Sequence, residues 1–174
     1  MADSTPQQNA LQPHRDTIDA CDKQIIQLLN QRARAAVQIG KIKNADAAPV
    51  YVPHRERQVM EKVHGLNEGP LPRSAIEAIY REIISASIAL ERPLRVGFLG
   101  PAGSFSHLAA RAHFGTSVSY EPVDDIHHVF EQVERDNLDV GLVPIENSTG
   151  GGIHDTLDSF MQSNTPVCAE VLIT

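Results

Sequence analysis

The 174-residue sequence predicts two structural classes in one chain, an all-helical unit followed by an α/β unit. Up to about residue 92, apolar residues recur every three or four positions, which is the spacing of one helix face. Beyond that point, short apolar runs alternate with glycine-rich loops, which is typical of strands that lead into helices. Pro93 cannot continue a helix, and we therefore place the boundary at residues 91–94.

The first predicted helix spans residues 12–44 and follows a lead-in, residues 1–10, that we expect to be disordered. Seven positions share a spacing of three and four residues: Ile18, Cys21, Ile25, Leu28, Arg32, Ala35 and Ile39. Six of them suit a packed seam, and the seventh is an arginine. Such a helix is roughly 50 Å long, whereas a small domain is roughly 30 Å wide. The simplest partner for the excess length is the same helix of a second copy.

Two shorter helices complete the helical unit. A loop at residues 44–53 leads to a helix at residues 53–64, and a turn at residues 65–72 leads to a helix at residues 72–91. Pro72 suits the first turn of that third helix, because its missing N–H has no partner there. The core spacing of the third helix is carried by Ile76, Ile79, Ile83, Ala86 and Leu90.

The α/β unit is predicted from four short apolar runs separated by helical segments. The predicted strands span residues 94–99, 118–120, 140–143 and 167–173, and the predicted helices span residues 107–114, 125–136 and 153–162. We accordingly expect one domain at residues 11–92 and a second at residues 93–174.

Composition excludes several classes of function. The formal net charge is −7, so the chain has no global attraction for nucleic acid or an anionic membrane, and any anion must be held by locally placed cations. Cys21 and Cys168 lie far apart in unlike contexts, which argues against a disulfide framework or a metal cluster. No apolar run is long enough to span a membrane, and we expect a cytoplasmic protein.

The spacing of three cations along the first helix indicates a site for a small anion. Lys43 follows Arg32 by eleven residues, close to three whole turns, so both point the same way about 16 Å apart and can lean over one small anion. Arg15 precedes Arg32 by seventeen residues, about 25 Å, which is too far to share that ligand within one chain. In an antiparallel dimer, Arg15 can reach the site of the partner.

Polar residues of the other two helices extend this set. Ser87 and Glu91 are four residues apart and share a face, and Arg55 and Glu56 are adjacent at a helix start that favours an anion. A single cation on a long helix is more often a solvated surface residue. Arg32 is harder to explain that way, because a charge within a seam is destabilising unless it is paired.

The helical unit resembles the all-helical chorismate mutases over residues 11–91. The resemblance is carried by three segments, RDTIDACDKQIIQLLNQRARAAVQIGKIK, PVYVPHRER and IISASIALE. It implies a domain-swapped dimer of three helices per chain, in which Arg32 and the partner's Arg15 bind the two carboxylates of chorismate. Lys43 then contacts one carboxylate and the ether oxygen of the breaking bond, and Glu91 faces the same oxygen.

The resemblance also assigns the remaining residues of that site. Arg55 lines it, Glu56 holds the ring hydroxyl and Ser87 sits nearby. Two positions depart from the family: many members carry Asp in place of Val52, and some carry Gln in place of Glu91. Only a backbone contact to the hydroxyl can survive at Val52.

The implied reaction is a concerted bond exchange from chorismate to prephenate, with no nucleophile and no cofactor. The enzyme must hold the reactive conformer and stabilise negative charge on the ether oxygen. An alternative of another class stays open, namely a non-catalytic dimeric module that binds a ligand or has a regulatory role. The arginine in the seam, with Lys43 three turns away, favours the enzyme.

Two loops of the α/β unit, GPAGSFSH and PIENSTGGG, place small polar residues at helix starts, where backbone amides can hold an anion. Each loop alone is equally typical of ordinary helix capping. Together with their strands they resemble prephenate dehydratase, and the order of the units resembles the bifunctional mutase–dehydratase family of phenylalanine synthesis. The resemblance implies that prephenate contacts Ser104, Ser106, Glu146, Asn147 and Ser148.

The dehydratase family has two α/β lobes around a cleft, in the manner of periplasmic binding proteins. The sequence resembles only the first lobe. The Thr-Arg-Phe motif with the catalytic threonine of the family and its phenylalanine-sensing domain are not found in these 174 residues. We therefore expect an incomplete dehydratase domain that is inactive in this chain.

Overall fold

The structure, a computed structural model, describes residues 6–45, 51–148 and 150–173. Helices come first and an α/β region follows, as the sequence predicts. The elements in chain order are α1 Pro6–Ala45, α2 Pro53–Leu66, α3 Arg73–Glu91, β1 Arg95–Leu99, α4 Phe105–Phe114, β2 Ser119–Val123, α5 Ile126–Glu134, β3 Val140–Leu142, β4 Glu146–Asn147, β5 Gly151–Gly152 and α6 His154–Gln162.

Helix α1 has 40 residues, a length of about 60 Å. It begins at Pro6, so residues 6–10 are helical and not the disordered lead-in that the sequence suggested, while residues 1–5 lie outside the described residues. The expected start near residue 12 is therefore six residues too late, and Pro13 lies inside the helix. The Thr17 hydroxyl donates to the Pro13 carbonyl at 2.8 Å, one turn earlier.

The helical unit buries little of its own apolar surface. Helix α1 packs against α3, and α2 also packs against α3, yet α2 has no buried residue. Six large apolar residues of α1 are at least half exposed: Ile18, Ile25, Ile26, Leu28, Ile39 and Ile42. Most of the expected seam is therefore uncovered by the described part of the chain.

The α/β region is built on a three-stranded parallel sheet of order β2-β1-β3. Parallel neighbours need a crossover connection, which α4 provides between β1 and β2 and α5 provides between β2 and β3. The central strand β1 carries the core. The main buried apolar cluster is Leu94, Val96, Phe98, Ala110 and Phe114.

The predicted last strand, residues 167–173, is wrong. Residues 163–173 have no regular structure, and Val167 and Leu172 are 69% and 85% exposed. A strand needs a neighbour for its backbone groups, and this segment pairs with no strand in residues 6–45, 51–148 and 150–173. The apolar run alone does not supply that neighbour. The structure instead has a short antiparallel hairpin, β4–β5, where the sequence predicted only a loop.

The two units contact each other along the C-terminal half of α3. The Glu82 carboxylate accepts from the backbone and hydroxyl of Thr116 at 3.1 and 2.7 Å, and Ser85 Oγ accepts from Ser117 N at 3.1 Å. Ser85 is 1% exposed. Gly115 has φ +79°, and a Cβ there would come within 2.7 Å of Ser85 Cβ, so the close approach requires glycine.

An ion-pair cluster fixes the point at which α3 ends and β1 begins. Asp139 Oδ1 lies 2.8 Å from Arg92 Nη2, and Asp139 Oδ2 accepts from Arg95 N at 2.8 Å and from Arg95 Nε at 3.2 Å. Burial acts to raise the pKa of Asp139, but the bonds from Arg95 and the charge of Arg92 outweigh it and lower that pKa. The segment between the units is thereby held to the start of β3.

None of the helices in the described residues combines the length and the apolar character that a membrane crossing requires.

Candidate active site

The structure brings four of the predicted site residues together between α1 and α3. From α1, Arg32 Nη1 donates to Ser87 Oγ on α3. Lys43 Nζ, three turns further along α1, lies 3.7 Å from Glu91 Oε2, one turn beyond Ser87. Ser87 Oγ in turn donates to the Ile83 carbonyl at 2.7 Å, so its orientation is fixed from its own helix. Two cations, a hydroxyl and a carboxyl group thus meet where α1 packs against α3, a place that we call the α1–α3 groove.

Packing holds the Glu91 side chain in place. The Glu91 side chain is 10% exposed, and its Oε2 is buried without a hydrogen-bond partner in the described ranges. Gly40 lies directly against it, because a Cβ at position 40 would be 2.8 Å from Glu91 Cγ. A carboxyl group fixed in this way, with one oxygen lacking a hydrogen bond, is suited to contact a small ligand beside Lys43.

Four predicted residues of this unit lie outside the four-residue groove: Arg15, Val52, Arg55 and Glu56. Arg15 is exposed on α1, seventeen residues before Arg32. Val52 precedes α2, and its carbonyl accepts from Arg55 N at 3.0 Å and Glu56 N at 3.2 Å. The Arg55 side chain is exposed and directs Nη1 at Gln58 Oε1, 3.4 Å away.

Glu56 belongs to a second group of polar residues, which we call the Tyr51 cluster: Tyr51, Glu56, Arg81 and His113. The Tyr51 hydroxyl lies 2.8 Å from His113 Nε2, and Glu56 and Arg81 lie close enough to Tyr51 to shift its pKa. Arg81 Nη1 donates to the His113 carbonyl at 2.8 Å. The cluster therefore joins α2 and α3 to α4 of the α/β region.

Burial governs the pKa values of this cluster. Burial raises the pKa of Glu56, and the Arg81 charge and the neighbouring Tyr51 hydroxyl oppose that rise. Burial also raises the pKa of Tyr51, with the Glu56 charge acting in the same direction. The pKa of His113 is lowered by burial and by Arg81, so its ring is neutral at pH 7.

Sequence reasoning did not select Tyr51, Arg81 or His113. Each stands alone in its segment, with no motif around it, and the cluster forms only because remote segments pack together. The one available signal is that Tyr51 directly precedes Val52, a position that the family resemblance had marked.

The α/β region contributes two loops at one edge of its sheet. Strands β1 and β3 are parallel neighbours, so the loops that follow them leave from the same edge. Ser104 caps α4 by accepting from His107 N at 3.3 Å, and its hydroxyl donates to the Leu99 carbonyl at 3.0 Å. Ser106 is buried in the first turn of α4. Ser104 therefore caps the N-terminus of α4, and Ser106 lies in the first turn of the same helix.

The second loop leads into the β4–β5 hairpin. Glu146 and Asn147 form β4 and are exposed, as is Ser148. Asn147 Oδ1 accepts from Gly150 N, which shapes the turn. Thr149, which the sequence also placed at this loop, lies outside the described residues. Among the described residues, no group of three or more His, Cys, Asp and Glu side chains is arranged to hold a metal ion.

Comparisons with known proteins divide the chain close to the boundary at residues 91–94 predicted from the sequence. Residues 14–92 match the family described as chorismate mutase type II, and residues 96–174 match the family described as prephenate dehydratase. The bifunctional chorismate mutase/prephenate dehydratase of Aquifex aeolicus (strain VF5) is 43% identical over 163 residues, which is 91% of this chain and 45% of that protein. The enzyme of the same name from Stutzerimonas stutzeri is 42% identical over 162 residues, with coverages of 90% and 44%.

The chain therefore spans about half the length of the curated relatives it matches. Among solved structures, chorismate mutase (form II) from Thermus thermophilus is similar at 32% identity and a TM-score of 0.46, covering 47% of this chain and 93% of that chain.

Proposed function

Because the chain belongs to the type II chorismate mutase family over residues 14–92 and to the prephenate dehydratase family over residues 96–174, we propose that it converts chorismate to prephenate in the groove between α1 and α3. The observation that carries this proposal is the pairing of Arg32 with Ser87 and of Lys43 with Glu91 across that groove. It supplies fixed cations and a hydrogen-bonding carboxyl group side by side, as a dicarboxylate with a reacting ether oxygen requires.

The reaction needs positioning and charge stabilisation only. The Arg32 guanidinium binds one substrate carboxylate through two parallel hydrogen bonds, which fixes its plane as well as its position. Lys43 binds the other carboxylate and donates to the ether oxygen as that oxygen gains negative charge. Glu91 donates to the same oxygen when it is protonated, because an ionised carboxylate only accepts. No covalent intermediate forms.

A complete site requires a second chain in this proposal. The exposed apolar residues of α1 need a cover, and an antiparallel copy of α1 supplies one. That copy also brings Arg15 of the partner subunit to the second carboxylate. Within one chain, Arg15 lies about 25 Å along α1 from Arg32, which is too far for the two to bind the same ligand. We accordingly propose a domain-swapped homodimer with two shared sites.

The remaining residues of the helical unit complete the contacts with the substrate. Glu56 accepts from the ring hydroxyl, Arg55 lines the entrance and Ser87 holds Arg32 in place. Val52 contacts the substrate through its backbone only, since its side chain is apolar.

We further propose that the α/β region, residues 93–174, is one lobe of a prephenate-binding unit of the periplasmic-binding-protein type. Ser104, Ser106, Glu146, Asn147 and Ser148 are its candidate substrate contacts. The support is topological, because both loops leave the same edge of a parallel sheet, where such sheets bind ligands. The two free cysteines fit a cytoplasmic location.

The test is a direct assay of chorismate loss by the purified chain, with prephenate identified as the product. Arg32→Ala and Lys43→Ala serve as matched variants, and each should lower kcat/KM by at least about a hundredfold, because each removes a charge-assisted contact to the transition state. Binding of chorismate without turnover would contradict the proposal and would instead support a ligand-binding module.

A further inference from the structure

The last two turns of α3 lie between the α1–α3 groove and the α/β region. On the side of α1, Ser87 contacts Arg32 and Glu91 lies near Lys43. Ile88, one position after Ser87, packs against the buried apolar cluster around β1. The same stretch of helix therefore carries two groups of the groove and is attached to the second unit.

Glu91 is the last residue of α3, so its position depends on how this helix end is held. The last turn of a helix frays easily, because its carbonyl groups have no following turn to bond with. Here the Arg92 backbone N donates to the Ile88 carbonyl at 3.1 Å and closes the turn. The Glu91 carboxyl group therefore stays in place only while Arg92 does.

Asp139 ties this helix end to the parallel sheet. Its Oδ1 lies 2.8 Å from Arg92 Nη2, and its Oδ2 accepts from Arg95 N at 2.8 Å. The Asp139 backbone N also donates to the Arg95 carbonyl at 2.9 Å, so the carboxylate stands where β1 and β3 begin to pair. Its side chain is only 12% exposed, which limits screening of the ion pair by solvent. The residue that follows Glu91 is thus held by the α/β region as well as by its own helix.

We propose that Asp139 is a positioning residue for the mutase reaction, which through Arg92 holds the last turn of α3 and keeps the Glu91 carboxyl group beside Lys43. This inference rests on the proposed function, because it takes Glu91 as a group that acts on the ether oxygen. The α/β region thereby contributes to the site of the helical unit without touching the substrate.

The experiment measures mutase kcat/KM for the full chain and three single variants. Asp139→Asn removes the charge that holds Arg92 and keeps the shape of the side chain. Arg92→Gln breaks the same ion pair but leaves the bonds between Asp139 and Arg95 in place, so it tests the proposal even if Asp139→Asn fails to fold. Thr116→Val is the matched control, because it removes a hydrogen bond to Glu82 of α3 at the contact between the units and leaves Arg92 untouched.

We expect Asp139→Asn and Arg92→Gln each to lower kcat/KM by about tenfold, because a misplacement of about 1 Å at a reacting group can cost up to about a hundredfold. Thr116→Val should change kcat/KM by less than about twofold. Unchanged activity in both Asp139→Asn and Arg92→Gln would overturn the proposal, as would an equal loss in Thr116→Val.

A double-mutant cycle distinguishes positioning from a general loss of folded protein. In a Glu91→Ala background no carboxyl group is left to position, so Asp139→Asn and Arg92→Gln should cause almost no further loss of kcat/KM. A smaller fraction of folded protein would lower kcat/KM by the same factor in both backgrounds. Equal losses with and without the Glu91 side chain would therefore overturn the proposal.

A second measurement separates this inference from the proposed function. Amide hydrogen exchange at Arg92, followed by NMR, reports the bond to the Ile88 carbonyl and does not depend on catalysis. Exchange should be about tenfold faster in Asp139→Asn than in the wild type and unchanged in Thr116→Val. This result supports the hold of Asp139 on α3 even if the wild type lacks mutase activity. An unchanged rate in folded Asp139→Asn overturns the inference while mutase activity persists.

Discussion

At the scale of single residues, the candidate mutase groove depends on how one carboxyl group is held. Glu91 is fixed by Gly40 on one side and lies near Lys43 on the other. Its charge state decides its chemistry, because an ionised carboxylate repels the negative charge that develops on the ether oxygen, whereas the protonated form donates to it.

Glu91→Gln tests this dependence. Glutamine has the same shape and donates at every pH, whereas a carboxyl group donates only in its protonated form, so we expect the variant to be at least as active as the wild type at high pH. The measurement is kcat/KM against pH for both forms, since that ratio reports the free enzyme. An alkaline limb that is unchanged in the variant would assign the oxygen to Lys43 alone.

Gly40→Ala tests the packing around the same side chain. An added Cβ would meet Glu91 Cγ at 2.8 Å and Cβ at 3.0 Å, near the root of that side chain, so Glu91 must move. We expect mutase kcat to fall by at least about tenfold, because such sites tolerate only about half an ångström of displacement.

Gly65→Ala is the control for Gly40→Ala. Gly65 is also helical, and nothing lies within 4 Å of a Cβ there. That change should stabilise the protein by up to about 1 kcal/mol through helix propensity and leave kcat unaltered. Equal activity of the two variants would show that Gly40 does not position Glu91.

At the scale of elements, the sequence predicted α2 and α3 well, the start of α1 six residues too late and the last strand wrongly. The ends of α2 and α3 lie within two residues of the prediction, because Pro53 and Pro72 mark their starts and apolar spacing sets their length. Residues 167–173 were assigned from an apolar run alone, and a run does not reveal whether a neighbouring strand exists to pair with it.

The residues of the candidate groove could be predicted from the sequence, whereas those of the Tyr51 cluster could not. Arg32 and Lys43 were found because helical spacing along one element fixes their common direction. Tyr51, Arg81 and His113 meet through packing between units, and no spacing within one segment encodes that contact.

Asp139 provides a prediction at the junction of α3 and β1. Its lowered pKa means that it binds protons more weakly in the folded state than in the unfolded chain, so its contribution to stability is present above the unfolded value near pH 4 and is lost as pH falls through the folded value. Asp139→Asn should lower the free energy of unfolding at pH 7 by about 1–3 kcal/mol, because Arg92 and Arg95 lose a charged partner.

Chemical denaturation from pH 2.5 to 7 checks this prediction. The difference between the wild type and Asp139→Asn should shrink as the pH falls below 4. A difference that stays constant with pH would show that the ion pairs of Asp139 do not carry its contribution.

At the scale of the whole molecule, the two units differ in how much of their own apolar surface they bury. The α/β region has its own buried core around β1, whereas the helical unit leaves most of its apolar residues on α1 exposed. The α/β region covers one side of α3, but in the described residues it does not cover α1. The proposed dimer therefore completes the helical unit as well as its site.

Mixed dimers test the shared site most directly. Arg15→Ala and Arg32→Ala chains should each be inactive alone, because every site then lacks one carboxylate ligand. In a hybrid dimer, the site with Arg32 from the first chain and Arg15 from the second is intact, and the other site has neither arginine. Random exchange of equal amounts gives half hybrids with one working site in two, so about a quarter of wild-type activity should return. If labelled chains exchange and the mixture stays as inactive as its parents, Arg15 does not act in the partner's site.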